Sequence, residues 1–211
     1  YIQAFFVPSI YMNSDTIGVI KEDYGMSITT VMTKPKSRGY VKLKSSDYRE
    51  PIEIELNLLK HDDDLKMMMA GQRFFLKALQ QGPLSKKVEK IIVPNTENLS
   101  DENLKKHCRR FVRTNYHPSG TAKMGADNDK LSVLDSKLRV RGIKNLRVCD
   151  LSAMPNINSG NTSAPAMMLG LRCGDFLLSH WVYSLIKKIL VSIVILFFSI
   201  DVLLQLPVPI L

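Results

Sequence analysis

The segment Tyr116-His117-Pro118-Ser119-Gly120-Thr121-Ala122-Lys123-Met124-Gly125 places a titratable imidazole on a turn punctuated by proline and glycine. A second polar cluster, Ser159-Gly160-Asn161-Thr162, follows downstream. A histidine held on a tight loop, with a polar partner just ahead of a helix, is suited to proton-coupled chemistry on a hydroxyl group. The ordinary imidazole pKa of about 6.5 lets such a group gain and lose a proton near neutrality.

These loops need elements to hold them. Residues 1–35 contain apolar pieces broken by Pro8, Gly18, Gly25 and Pro35, and they read as a linker with one strand. Val41 and Leu43 alternate, as do Ile52, Ile54, Leu56 and Leu58, which predicts two half-buried strands joined through Ser45-Ser46-Asp47. From Asp62 the period becomes helical, with Leu65, Met68, Met69, Leu76 and Leu79 on one face, and Gly82-Pro83 closes the helix. Asp62, Asp63 and Asp64 read as an N-cap and acidic first turn. They do not read as metal ligands, because consecutive side chains on a helix diverge. A second helix follows Ser100 and carries Leu104, Cys108, Phe111 and Val112. Two short strands are expected around Leu138-Arg139-Val140 and Leu146-Arg147-Val148, then a long polar loop from Asp150 to Ser163 and a helix from about Ala164 to Leu178. Strands and helices are segregated, which predicts an α+β fold: an antiparallel sheet flanked by helices.

Length and composition fit one sizeable core with an appendage: 211 residues, 45% hydrophobic and 23% charged. The net charge of +9 raises the question of anionic partners. The basic residues are scattered, however, and no zinc-finger spacing, aromatic stacking motif or long basic tract accompanies them, so nucleic acid is not an expected partner. Three cysteines with no Cys-x-x-Cys spacing argue against a metal site or a disulfide framework. Cys149 and Cys173 read as small reduced hydrophobes. His61 and His107 read as surface residues. Asn98-Leu99-Ser100 fits a glycosylation sequon. The tail after residue 178 contains an uncharged run from Ile189 to Ile200, preceded by Lys187-Lys188 and interrupted by Asp201. It leaves three readings open, a membrane anchor, a buried or amphipathic tail, or an aberrant chain end, because a spanning helix needs about 20 apolar residues. Localisation stays open with it, extracellular or membrane-associated.

His117-Pro118-Ser119-Gly120-Thr121 with Lys123-Met124-Gly125 resembles the His-Pro-x-Gly-Thr-x-x-Met-Gly signature of glucose–methanol–choline (GMC) oxidoreductases. Leu146 to Pro155 resembles that family's strand and turn toward the flavin, and Ser159 to Pro165 its second active-site segment. Ser37 to Leu43 resembles its opening strand. The flavour is that of insect FAD-dependent, glucose dehydrogenase-like members, and the likeness runs over roughly residues 35–178.

The resemblance implies a division of 1–35 linker, 36–178 GMC C-terminal domain and 179–211 hydrophobic tail. It implies FAD as cofactor, an alcohol, sugar or sterol as substrate, and oxygen or a quinone as electron acceptor. His117 would be the general base; Asn161 would donate a hydrogen bond to the substrate oxygen and touch the cofactor, and it cannot replace His117 as base. Asp150, Leu151 and Thr162 would contact the cofactor, with the helix opening near Ser163 directing N–H groups at the reduced flavin. Ala122 stands where many insect relatives carry Cys, and Leu151 puts bulk where alanine is usual. No Gly-x-Gly-x-x-Gly follows a strand in these 211 residues, so the chain reads as a fragment whose strand-loop-helix end completes an FAD domain supplied from elsewhere, inactive alone. The rival is a non-enzymatic, tail-anchored binding protein derived from such an enzyme.

Overall fold

The computed structural model describes residues 1–10, 24–94 and 96–204; the side chains of His180 and of residues 191–204 lie outside that description. Among the described residues the fold is mixed α+β, built from small antiparallel sheets and four helices. The chain forms two compact units, Tyr1–Thr121 with Asn156–Thr162, and Ala122–Pro155 with Ser163–Leu211.

In the first unit, strand β1 (Ile2–Val7) pairs antiparallel with β2 (Ser27–Met32), Ile2 opposite Met32 and Val7 opposite Ser27. The described part of residues 1–35 therefore carries two strands, where one was expected. Helix α1 (Asp62–Leu79) packs on this hairpin, with Gln72 Nε2 donating to Thr30 Oγ1 at 2.9 Å. Gly71 admits the hairpin, since a Cβ there would stand 3.3 Å from the Ile2 side chain. A short α2 (Gly82–Ser85) carries Pro83 in its first turn. Helix α3 (Asp101–Phe111) is capped by Ser100, whose hydroxyl accepts from the Asn103 N–H at 3.3 Å. Leu59, Leu65, Leu104 and Cys108 form the core of this unit, flanked by Met32, Met68, Met69 and Val112. Burial pushes the Cys108 thiol up to about 11, which makes it a packing residue rather than a nucleophile.

Two expectations change here. Strands β3 (Tyr40–Lys42) and β4 (Glu53–Glu55) pair antiparallel as predicted, Val41 opposite Ile54, but both are largely exposed rather than half-buried. Alternation of apolar residues marks one face of a strand; it does not supply the layer that covers it. Gly39 precedes β3 where any side chain would collide with the Glu55 carbonyl oxygen. The N-cap of α1 is His61, not an aspartate: its Nδ1 accepts from the Asp63 N–H at 3.2 Å.

Asp64 instead reaches out of the helix. Its carboxylate accepts from the Lys36 N–H (2.8 Å), the Ser37 N–H (2.6 Å) and the Ser37 hydroxyl (2.6 Å). The residue is 3% exposed. Burial pushes the carboxyl up, but the Lys36 and Ser37 donors outweigh it and hold it below the usual carboxylate range.

The second unit is built around Leu134, Leu138, Ala153, Leu169 and Cys173. The strands expected at Leu138–Val140 and Leu146–Val148 are isolated bridges, Leu134 to Val140 and Arg139 to Arg147. Three side chains tie these turns instead. Arg141 donates to the Gly125 carbonyl (2.9 Å), Ser132 Oγ (3.1 Å) and Asp127 (2.8 Å), Lys123 pairs with Asp129 at 2.7 Å, and Asp135 accepts from the Arg139 N–H at 3.0 Å. Gly125 is required, because a Cβ would stand 2.7 Å from Ser132 Cβ.

Helix α4 (Ser163–Leu204) starts close to the predicted position and continues well past Leu178. Among the described residues no helix is long and apolar enough to cross a membrane. Residues 205–211 of the tail lie outside the described residues.

The reading of Cys149 and Cys173 as reduced is overturned, because they form a disulfide with Cα atoms 6.1 Å apart. An odd cysteine count says nothing about which two of the three meet. The bond joins the segment leading into Asp150 to the buried face of α4, across a separation of 24 residues. Closing a loop of that size is worth about 3 kcal/mol through restriction of the unfolded chain. Reduction, or Cys149→Ser, is expected to lower the urea midpoint accordingly. An unchanged midpoint under strong reductant would show that the bond contributes nothing.

Candidate functional site

The loop that carries His117 leaves α3 through a sequence of constrained residues. The Thr114 hydroxyl accepts from the Tyr116 N–H at 3.0 Å, and Tyr116 takes a left-handed φ of 60°. Pro118 restricts His117 to extended backbone. Gly120, at φ 86°, turns the chain where a side chain would be strained. His117 is half-buried in the result.

The second segment, Asn156–Thr162, is fastened at both ends within the same unit. At its start, Arg38 Nη2 donates to Asn156 Oδ1 at 3.1 Å, while Arg38 Nη1 donates to the Pro35 and Ser37 carbonyls. In its middle, Asn158 Nδ2 donates to the carbonyls of Gly160 (2.8 Å) and Asn161 (3.1 Å), folding the loop on itself. At its end, the Thr162 hydroxyl lies 2.8 Å from His117 Nδ1. Thr162 is 4% exposed and Asn161, next to it, is exposed. The structure thus brings the two motifs together through Thr162. The Asn161 side-chain amide makes no hydrogen bond among the described residues.

Asp150 and Leu151 belong to the other unit. Asp150 caps the single 3₁₀ turn Leu151–Ala153, its Oδ1 accepting from the Ser152 N–H at 2.7 Å. One carboxylate oxygen is thus engaged locally, and the residue is exposed. Around this turn, Ala122 and Met124 donate to the Ser152 and Ala153 carbonyls at 3.0 and 2.8 Å.

Sequence reading gave no role to two residues that hold the second segment, Asn158 and Arg38. Asn158 was legible in principle, because an asparagine two before a glycine is turn chemistry. A cleft lined by Asn98, His107, Arg110 and Phe111 is separate from all of these side chains. His107 there is packed on Phe111, and burial lowers its pKa.

Comparison with known proteins gives a consistent picture. A family profile described as GMC oxidoreductase matches residues 35–170. Choline oxidase of Arthrobacter globiformis is 35% identical over 170 residues, covering 80% of this chain and 31% of that protein. The FAD, quinone glucose dehydrogenase of Drosophila melanogaster is 35% identical over 162 residues, 74% of this chain and 26% of its own. Among solved structures, a variant of Aspergillus oryzae formate oxidase superposes with a TM-score of 0.70 at 30% identity, over 76% of this chain and 28% of that one. The chain therefore spans roughly a third or less of the length of these relatives.

Proposed function

The chain belongs to the GMC oxidoreductase family, and from that premise we propose that it is the C-terminal, substrate-handling portion of an FAD-dependent enzyme that oxidises CH–OH donors. The observation that carries this reading is the His117 ring, held 2.8 Å from the hydroxyl of Thr162, the residue directly after Asn161. His117 takes the hydroxyl proton of the alcohol, and Asn161 donates a hydrogen bond to the oxygen as it gains negative charge.

Bound FAD supplies the acceptor for the hydride lost from carbon. One feature of the first unit fits such a group: Asn158 Oδ1 is a buried acceptor with no partner among the described residues, in the same loop as Asn161, and a flavin ring carries an N–H donor. Asn161 and the Thr162 N–H would hold it on this unit. Asp150 and Leu151 are assigned cofactor contacts by family resemblance alone. The residues upstream of the match in the relatives would supply the rest of the FAD site, and the electron acceptor is oxygen or a quinone.

The Cys149–Cys173 bond supports an oxidising compartment as the working environment.

The test is an assay of the full-length protein that contains this chain, loaded with FAD, against choline, glucose and simple primary alcohols with an artificial dye acceptor. Dye reduction that requires both flavin and alcohol is expected. A flavin-loaded protein that reduces dye with none of a broad alcohol panel would overturn the reading. For the 211-residue chain alone, flavin is expected to be lost on desalting.

A further inference from the structure

We propose that Thr162 is a positioning residue for His117: its hydroxyl accepts a hydrogen bond from Nδ1–H and so leaves Nε2 unprotonated as the atom that takes the substrate proton. This rests on the reading above and removes the Thr162 side chain from the cofactor contacts expected of it.

The geometry is a single contact of 2.8 Å between Thr162 Oγ1 and His117 Nδ1, across 45 residues of sequence. A hydroxyl can donate or accept, so the contact alone allows two tautomers. They differ in what they permit. If the hydroxyl donates to Nδ1, the ring proton sits on Nε2, which then cannot accept another. Protonating Nδ1 would invert the hydrogen bond and require the hydroxyl to rotate. If Nδ1–H donates to the hydroxyl, Nε2 is free in the neutral ring. When Nε2 takes a proton, the Nδ1–H bond persists with the same donor and acceptor. Only the second arrangement survives both protonation states without reorganisation.

Thr162 is built to hold that position. It is 4% exposed, β-branched and therefore stiff at χ1, and it directly precedes α4. The Asn158 amide, bonded to the Gly160 and Asn161 carbonyls, braces the backbone just before it. Among the described residues the hydroxyl has no other partner, so in this arrangement its own O–H is unpaired.

Two-bond ¹H–¹⁵N spectra of the full chain, taken at about pH 9 where imidazoles are neutral, report the tautomer directly. The His117 signals are assigned by their loss in His117→Asn. The wild-type ring is expected to be the Nδ1–H form. Thr162→Val, which keeps the shape and removes the hydroxyl, shifts the tautomer ratio toward Nε2–H by about fivefold, the worth of one ordinary hydrogen bond. Thr162→Ser restores it. An Nε2–H tautomer in the wild-type chain overturns the proposal without any variant being needed. So does a ratio that Thr162→Val leaves unchanged while the backbone spectrum shows an intact fold. Whether the holoenzyme oxidises alcohols is decided separately by the dye assay, so failure of that reading does not register in the tautomer.

Discussion

Replacing His117 by asparagine is expected to lower kcat of the FAD-loaded, full-length enzyme by about 10²- to 10⁴-fold, the range for loss of a positioned general base. Asparagine is the informative choice because its amide nitrogen lies near the place of Nδ1 and retains a donor for the Thr162 hydroxyl, which sits 2.8 Å from Nδ1 in the native ring. The loop is also fixed by groups that the substitution leaves alone: the left-handed Tyr116, the turn at Gly120 and the Thr114 hydroxyl on the Tyr116 N–H. Folding and alcohol binding should therefore change little while the proton acceptor at Nε2 disappears. Steady-state dye reduction should show the loss in kcat with KM nearly unchanged, since the interaction removed is made chiefly in the transition state. Thermal melting provides the control. A kcat within tenfold of wild type, with melting unaltered, would mean that another group takes the proton.

The largest expected loss of stability comes from Asp64→Ala, at about 4.5 kcal/mol, counting three bonds to a charged acceptor at the low end of their range. That low end is chosen because Lys36 is exposed and water can replace its partner. The effect has a pH signature. The folded carboxyl is held below its ordinary value by the Lys36 and Ser37 donors, which outweigh the opposing effect of burial. A depressed folded pKa contributes stability that is fully present above the unfolded value of about 3.9 and is lost as pH falls through the lower folded value. The wild-type urea midpoint should thus decline steeply below about pH 4. In Asp64→Asn, which is already weakened at neutral pH, that share of the decline is missing. Parallel acid profiles for the two proteins would show that the carboxylate is not the stabilising charge.

Asp64 also illustrates what could be read in advance. The helix it belongs to was legible, because Leu65, Met68, Leu76 and the acidic first turn are local signals that reach only a few residues. The three bonds from Asp64 back to Lys36 and Ser37 were not, because nothing in a period of 3.6 tells a side chain which distant backbone it will meet. The same limit applies to Cys149 with Cys173 and to the strand pair β1–β2, where the partner strand lies beyond a break in pattern. The His117 and Asn161 motifs were recognisable from residue order. Their connection was not, since it runs through Thr162, a residue whose type suits capping and turns equally well. Strands β3 and β4 show the converse error: the alternation of Val41 and Ile54 was real, and burial was inferred from it without a layer to provide it.

The threading of the chain between its two units has a consequence for the order of events during synthesis. The first unit contains Tyr1–Thr121 and then, after an excursion through Ala122–Pro155, the short return Asn156–Thr162. A ribosome that has released everything up to Thr121 has delivered His117 without its partner. The ring acquires its neighbour only when the return segment emerges, so the proposed proton-accepting centre is among the last features of that unit to be completed, however early its core condenses. A nascent chain stalled within the excursion would carry the histidine and a folded α1–α3 core, yet no assembled site.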